Sequence, residues 1–331
     1  HILLRGNPHI QGKKVEPGFP VVLTSVAPQI TQRPNAQTSG KRRALAEWLV
    51  SKDNPTSSRA IANRLWQFHF GRGICSTPSD FGKLGQLPTH PELLDWLAVE
   101  MVDRGWKLKN FHKLLMTSSA YMMSSKSEPK ALAADPANNL FWRFNMRRLS
   151  AEEIRDSILK VNGTLNPKYL GSSFYPEVPR EVLQTSSRPG GVWRKSSPEE
   201  QRRRSVYIFI KRSLIPPMLS THDLADTDSS CASRFTTTVP TQALTMLNSK
   251  FLNDQAGVFA AYLQKELGDD ARKKISTALN LVFCREPVKA EVDQCVKLIN
   301  DFQAEDKLSA EQAFKYFCLL ALNLNEFVYL D

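Results

Sequence analysis

The chain has 331 residues, of which 41% are hydrophobic, and it carries a formal net charge of +11 at pH 7. This composition supports a large buried core, and the absence of any run of about 18 apolar residues excludes a helix that spans a bilayer. The five cysteines are scattered and form no Cys-x-x-Cys-His pattern, which excludes a dense disulfide framework and covalent haem attachment within the chain.

Residues 1–39 have the composition of an extended segment. Residues 2–6 predict a short strand, and residues 24–39 contain two prolines among many small polar residues, a pattern typical of a surface linker. The chain opens at His1 rather than Met, so we expect an N-terminal portion to have been removed. We therefore interpret residues 1–39 as a linker and the end of a preceding domain.

Helical periodicity begins near residue 40. Apolar residues at helical spacing predict helices over residues 44–49 and 56–70, and a further helix over residues 110–121. Two helix starts carry the spacing of a capping box, in which a hydroxyl and a carboxylate satisfy each other's backbone donors. These two pairs are Thr89 with Glu92, and Ser150 with Glu153.

The centre of the chain loses this periodicity, and the C-terminal third regains it. Residues 164–200 contain five prolines and no sustained period, which predicts a long irregular segment, whereas residues 205–210 are β-branched and aromatic and predict a strand. Helices are predicted over residues 240–247, 250–267, 270–284, 289–302 and 309–322. The fold class is mainly α, a multi-helix globular domain with a long irregular central segment and a minor β contribution.

The domain organisation has two alternatives. Residues 40–331 form either one helical domain or two subdomains, about 40–163 and 201–331, joined by an irregular basic segment. Residues 141–212 contain 15 Lys and Arg against 7 Asp and Glu. This segment is where an anionic partner is expected, although such a charge run is more often a solvated face than a groove.

A series of motifs resembles the planctomycete domain of unknown function 1553. The resemblance covers nearly the whole chain from residue 40 onward. The motifs that carry it, in chain order, are residues 59–66, 70–73 (Phe-Gly-Arg-Gly), 78–82 (Pro-Ser-Asp-Phe-Gly), 90–97 (His-Pro-Glu-Leu-Leu-Asp-Trp-Leu), 147–156, 203–207, 230–234 and 240–244.

The resemblance implies a cellular location and an adjoining domain, but it implies no reaction. Such domains are typically the C-terminal module of exported multidomain proteins, so it implies a periplasmic or extracellular location. It also implies haem c on a missing N-terminal domain of the same polypeptide, with no cofactor within this segment. No catalytic residue is carried over, and whether the chain is an enzyme stays open.

The residues themselves offer candidates for acid–base chemistry and for anion binding. Carboxylates and histidine on loops can act as general acid or base, and guanidinium groups bind carboxylate or sulfate in a two-pronged manner. The acid–base candidates are Asp80, His90, Asp223 and Asp226. The binding candidates are Arg64, Arg72, Arg147, Arg148, Arg203, Arg204 and Arg234. The alternative is that these arginines pair internally with Asp80, Asp156, Asp223 and Asp226.

The polar segment 221–231 concentrates side chains that can ligate a metal. Its spacing fails the EF-hand pattern, because Cys231 replaces the required glycine and Thr237 the required glutamate. A transition-metal site of His222, an aspartate and Cys231 has no recognised spacing, so no metal is assigned. A redox or structural role is expected for Cys231, the one cysteine in a polar loop.

Three functions follow from these observations. The first is a module that binds an anionic polysaccharide or an acidic protein partner. The second is an enzyme that acts on a sulfated or acidic extracellular polysaccharide through the carboxylates and arginines. Nucleic-acid binding rests only on the basic charge and the aromatic-basic run 141–144, lacks a recognised motif, and is disfavoured. The oligomeric state is not indicated.

Overall fold

The computed structural model describes residues 1–32, 37–184 and 193–331, which form fifteen α-helices and one sheet of two short strands. This confirms the mainly α fold with a minor β contribution. The chain divides into two compact units, His1–Asn145 and Met146–Asp331. Part of the irregular segment, residues 185–192, and part of the expected linker, residues 33–36, lie outside the described residues. The assignment of residues 1–39 to a preceding domain stays a prediction.

The first unit is built on a buried aromatic cluster. The Trp66 ring stacks on Phe70 with 3.9 Å between centroids and meets Phe141 edge-on at 5.3 Å. Such pairs contribute beyond the area they bury. The helices of this unit are α1 (Lys41–Leu49), α2 (Ser57–Phe70), α3 (Pro91–Asp103), α4 (Leu108–Met116) and α5 (Pro129–Ala134).

The second unit contains the longer helices and the sheet. Its core is formed where α11 packs against α12 and α14, and α13 against α14. Its elements are β1 (Arg147–Arg148), α6 (Ala151–Val161), α7 (Arg180–Gln184), α8 (Pro198–Gln201), α9 (Pro217–Thr221), α10 (Pro240–Asn248), α11 (Lys250–Leu267), α12 (Ala271–Phe283), α13 (Lys289–Ala304), α14 (Ala310–Ala321), α15 (Asn325–Val328) and β2 (Tyr329–Leu330).

The sheet joins the two ends of the second unit. β1 pairs antiparallel with β2, with Arg147 opposite Leu330 and Arg148 opposite Tyr329. Directly after β1, the predicted capping box of Ser150 and Glu153 is confirmed at the start of α6. The pairing and the cap together fix both arginines beside the N-terminus of α6.

The strand predicted over residues 205–210 is wrong. Ser205–Tyr207 is a turn of 3-10 helix, and only Ile208 pairs in a parallel bridge with Phe174. The reason is a side-chain contact, since Oδ1 of Asp156 accepts hydrogen bonds from both the N–H and the hydroxyl of Ser205, each at 2.7 Å. These two hydrogen bonds favour a turn at Ser205 over the extended conformation that the local sequence prefers.

Two N-terminal predictions are also wrong. Residues 2–6 form no strand, because Leu4–Gly6 is a 3-10 turn and only Leu3 pairs, in a bridge with Gln11. Thr89 and Glu92 form no capping box, because His90 is the residue that precedes the helix and its side chain makes no cap. The hydroxyl of Thr89 instead donates to the carbonyl of Ile74 at 3.3 Å.

Within the part of the chain that the structure describes, no helix has both the length and the hydropathy needed to cross a membrane.

Candidate functional site

Arg148 lies at the centre of a buried polar cluster in the second unit. Its guanidinium donates to Oδ2 of Asp223 at 2.6 Å and to the backbone carbonyls of Leu149 and Thr237 at 3.0 and 3.3 Å. The arginine side chain is almost fully buried, and the aspartate is mostly buried. A buried charge is tolerated only when it is paired and hydrogen-bonded, so each partner holds the other in place.

The carboxylate of Asp223 has further donors. The N–H and hydroxyl of Thr237 donate to it at 2.8 and 2.9 Å, and Nε2 of Gln242 lies 3.4 Å from Oδ2. Burial works to raise the pKa of Asp223, but the Thr237 hydrogen bonds and the charge of Arg148 outweigh it and lower that pKa. Asp223 is therefore a structural anion that ties three separate segments together.

Two more arginines meet carboxylates at the N-terminus of α6. Nη1 of Arg234 donates to Glu152 at 2.8 Å and Nη2 at 3.0 Å, and this two-pronged bond raises the pKa of Arg234. Arg147 lies 3.4 Å from Glu153. Two acidic residues are stable in this first turn because the helix dipole is positive there. We call the ion pairs of Arg147, Arg148 and Arg234 the arginine network.

A second set of paired arginines lies between α6 and residues 200–205. Buried Arg155 donates to the carbonyl of Arg203 at 2.9 Å, and burial lowers the pKa of Arg155 to about 10. Arg203 is itself buried and donates to Glu200 at 2.9 Å. The exposed Arg204 lies 3.3 Å from Asp156. These contacts join residues 200–204 to α6.

Asp226 and Cys231 lie on the exposed loop that precedes Arg234. Asp226 accepts from the N–H of Asp228 at 2.9 Å and from the hydroxyl of Ser229 at 3.2 Å, so it caps its own turn. The thiol of Cys231 is exposed, with Sγ 3.2 Å from the carbonyl of Ser233.

His222 is buried on the other side of this loop, and its Nδ1 donates to the carbonyl of Met218 at 2.9 Å. Burial lowers the pKa of His222, so the ring is neutral near pH 7. Among the described residues, no cluster of three or more His, Cys, Asp or Glu side chains has the arrangement of a metal site.

The remaining candidates lie in the first unit. Oδ1 of Asp80 accepts from the N–H of Gly82 at 2.8 Å, and the ring of His90 lies 5.9 Å from that of Phe141. Arg72 donates to Oδ1 of Asn139 at 2.6 Å. Arg64 is exposed on α2. Thus Asp80 organises its own loop, and Arg72 ties the end of α2 to the turn before residue 141.

A different cationic surface borders α4. Lys107, Lys109 and Lys113 are all exposed, and no carboxylate forms an ion pair with them within residues 1–32, 37–184 and 193–331. Lys109 and Lys113 are one helical turn apart and therefore share a face. Lys107 lies just before the first residue of α4. We call these three lysines, which lie within seven residues of the chain, the basic face.

A shallow cleft adjoins the basic face. Its volume is about 300 Å³, and its lining residues are Arg104, Asn110, Lys113, Leu114 and Thr117. Arg104 also pairs with Glu100 on α3. The cleft thus offers amide and ammonium donors beside an open surface, which suits an anionic group.

Charge counts by compact unit place most of the positive excess in the first unit, which contains the basic face. Residues 1–145 contain 19 Lys and Arg against 10 Asp and Glu, whereas residues 146–331 contain 25 against 23. The excess between residues 141 and 212 is largely offset by acidic residues later in the same unit.

Sequence reasoning missed the partners of the arginines and the lysines of the basic face. Glu152, Thr237 and Gln242 contact partners that lie 82, 14 and 19 residues away in sequence, and no local pattern marks these pairs. The lysines carried a signal that could have found them, because residues 107–115 contain three cations together with the apolar residues Phe111 and Leu115 at helical spacing.

The fold and its sites define a mainly α protein whose loops are held by arginine–carboxylate pairs. The family model described as PSD1, protein of unknown function (DUF1553), matches residues 41–299, and the chain belongs to that family. Neither a curated protein nor a solved structure matches the chain.

Proposed function

We propose that the chain is a binding module for an anionic polymer and that the basic face of the first unit is its binding surface. The observation that carries this proposal is the set of three exposed lysines without carboxylate partners among the described residues. Unpaired cations on one surface attract polyanions, and the attraction weakens as salt screens it.

The neighbouring cleft supports an extended ligand rather than a small one. It is shallow and open, and Asn110, Lys113 and Thr117 offer polar groups along its length. A sulfate or carboxylate group of a chain could occupy the cleft while neighbouring groups of the same chain meet Lys107 and Lys109. An acidic, sulfated or carboxylated polysaccharide has this chemistry. In this proposal the module acts outside the cytoplasm, beside a haem c domain of the same polypeptide, as the family resemblance implies.

The candidate carboxylates give less support to an enzyme that acts on such a polysaccharide. Asp223 is engaged by Arg148 and Thr237, and Asp226 and Asp80 accept hydrogen bonds from neighbouring backbone groups. Each carboxylate thus already has a structural role, whereas no ion pair engages the lysines of the basic face among the described residues. Binding is therefore the better-supported function.

Isothermal titration calorimetry with heparin and polygalacturonate tests the proposal. We expect the chain to bind one or both polymers, and Lys109→Glu/Lys113→Glu to weaken binding at least about tenfold. The matched control is Lys289→Glu/Lys297→Glu on α13, which reverses two exposed lysines of the second unit and makes the same change in net charge. Binding should persist in this control. No binding by the unaltered chain, or equal losses in both variants, would contradict the proposal.

A further inference from the structure

The connection between α2 and α3 presents apolar side chains to solvent. Leu84 is 92% exposed and Leu87 is 88% exposed, and the ring of Phe81 is partly exposed beside them in the chain. Isolated exposed leucines are common, but two at nearly full exposure within four residues of one loop form a concentrated apolar tip. Lys83 is exposed between Phe81 and Leu84.

The loop that carries this tip is held by internal hydrogen bonds. The hydroxyl of Thr77 donates to the carbonyl of Asp80 at 2.8 Å and accepts from the N–H of Gln86 at 2.9 Å. The N–H of Gly85 donates to the carbonyl of Gly82 at 3.0 Å. These bonds close the loop on itself, so its apolar residues are displayed without a large cost in ordering entropy when they bind.

The base of the loop is anchored in the buried interior of the first unit. The side chain of buried Asn63 donates to the carbonyl of Cys75 at 2.9 Å and accepts from its N–H at 2.8 Å. Gly85 is required at the centre, because a Cβ there would lie 2.0 Å from the carbonyl oxygen of Asp80. The exposure of Leu84 and Leu87 is thus imposed by a rigid scaffold.

We infer that this loop docks on the surface of an anionic lipid bilayer, with Leu84 and Leu87 entering the acyl boundary and Lys83 at the headgroups. Two leucines with nearly complete exposure fit a deformable apolar medium. Leucines flanked by a cation are the combination that an anionic interface binds, through apolar burial and charge attraction together.

The charge of the surrounding unit favours the same ligand. Residues 1–145 carry nine more basic than acidic residues, and long-range attraction would bring this unit toward an anionic surface. The one acidic residue of the loop, Asp80, accepts a hydrogen bond from Gly82 rather than standing free in front of the tip. This inference goes beyond the proposed polysaccharide binding and involves different residues.

Co-sedimentation with vesicles tests the inference on the full chain. We expect the chain to sediment with vesicles that contain phosphatidylglycerol and far less with pure phosphatidylcholine. Leu84→Ser/Leu87→Ser should weaken partitioning about a hundredfold, since burial of each leucine contributes about tenfold. Lys83→Gln should weaken it about fivefold, as one cation near an anionic surface does.

The matched control is Val21→Ser/Val22→Ser, which removes two other apolar side chains of the same unit that are also almost fully exposed. Vesicle binding should survive in this control, and heparin binding should survive in the leucine variant. Unchanged sedimentation of the leucine variant, or equal losses in the control, would overturn the inference. So would self-association through the loop without vesicle binding, detected by analytical ultracentrifugation.

Discussion

Two basic regions of this protein look alike in sequence and differ in structure. The arginine network contains three guanidinium groups, and each has a carboxylate partner from its own compact unit. The basic face contains three lysines, and none has such a partner in the described parts of the chain. A local surplus of positive charge therefore does not by itself identify a binding surface, because ion pairing within the fold can neutralise it.

The difference in ion pairing between the two regions also distinguishes structural cations from cations that are available to a ligand. A buried arginine with a carboxylate and several carbonyl partners positions loops, and its loss is expected to affect folding. An exposed lysine contributes little to stability and remains available to a ligand. Substitutions in the two regions should consequently affect different measurements, which makes the contrast testable.

The largest effect is expected in the arginine network. Asp223→Asn leaves the buried guanidinium of Arg148 without a compensating charge, so the free energy of unfolding should fall by about 3 kcal/mol. Urea denaturation followed by circular dichroism measures this loss. The matched control is Asp226→Asn, which retains an oxygen to cap its exposed turn and should change stability by less than about 0.5 kcal/mol. Equal losses of unfolding free energy from the two substitutions would contradict the claim that the arginine network contributes more to stability than an exposed aspartate does.

The stability of the protein in acid should depend on the same ion pair, Arg148–Asp223. The pKa of Asp223 is lowered from its ordinary value of 3.8, so the folded state binds protons less readily than the unfolded chain. The stabilisation is complete above pH 3.8 and is lost as the pH falls through the lower folded pKa. Thermal unfolding between pH 2.5 and 7 should show this loss, and Asp223→Asn should flatten it. If the thermal stability of Asp223→Asn fell with pH as steeply as that of the unaltered chain, other carboxylates would be responsible for the loss of stability in acid.

A smaller effect is expected where an arginine is paired but exposed. Arg204 lies 3.3 Å from Asp156 with 64% of its side chain exposed. Solvent screens such a pair, so Arg204→Gln should lower the free energy of unfolding by less than about 1 kcal/mol. Urea denaturation of this variant alongside Arg148→Met compares exposed and buried arginines of one unit. A loss from Arg204→Gln as large as that from Arg148→Met would show that burial is not the deciding factor.

The smallest stability effect is expected on the basic face. Lys109→Glu/Lys113→Glu should leave the free energy of unfolding within about 0.5 kcal/mol, because both side chains are exposed and unpaired within the described residues. The same variant should show a shallower dependence of heparin affinity on salt concentration, since fewer cations meet the polymer. A large loss of stability would place these lysines with the arginine network instead.

The sequence predicted elements that depend on neighbours along the chain. The α2 helix ends at Gly71, whose positive φ of 79° suits glycine, and α6 begins at the capping box of Ser150 and Glu153. Both signals are local hydrogen-bonding or backbone preferences, so no tertiary information was needed. The predictions for residues 205–210 and for Thr89 were wrong because of tertiary contacts. Ser205 hydrogen-bonds to Asp156, and the hydroxyl of Thr89 hydrogen-bonds to the carbonyl of Ile74.

The candidate site was predictable only in its residue types. That arginines and aspartates would pair was one of two alternatives, and the pairs Arg148–Asp223 and Arg204–Asp156 do form. Arg234 pairs instead with Glu152, which lies 82 residues away in sequence. Sequence alone offers no means to choose among these carboxylates, since each pairing depends on how distant helices pack.

By itself, the sequence determined the family, the mainly α fold and most of the long helices, because periodicity, caps and glycines act within one or two turns. The tertiary structure decided which charges are neutralised and which remain free. It buried Arg148 against Asp223, left Lys109 and Lys113 in solvent, and held Leu84 on a rigid loop. The physical reason is that burial and charge pairing are set by residues brought together from distant parts of the chain.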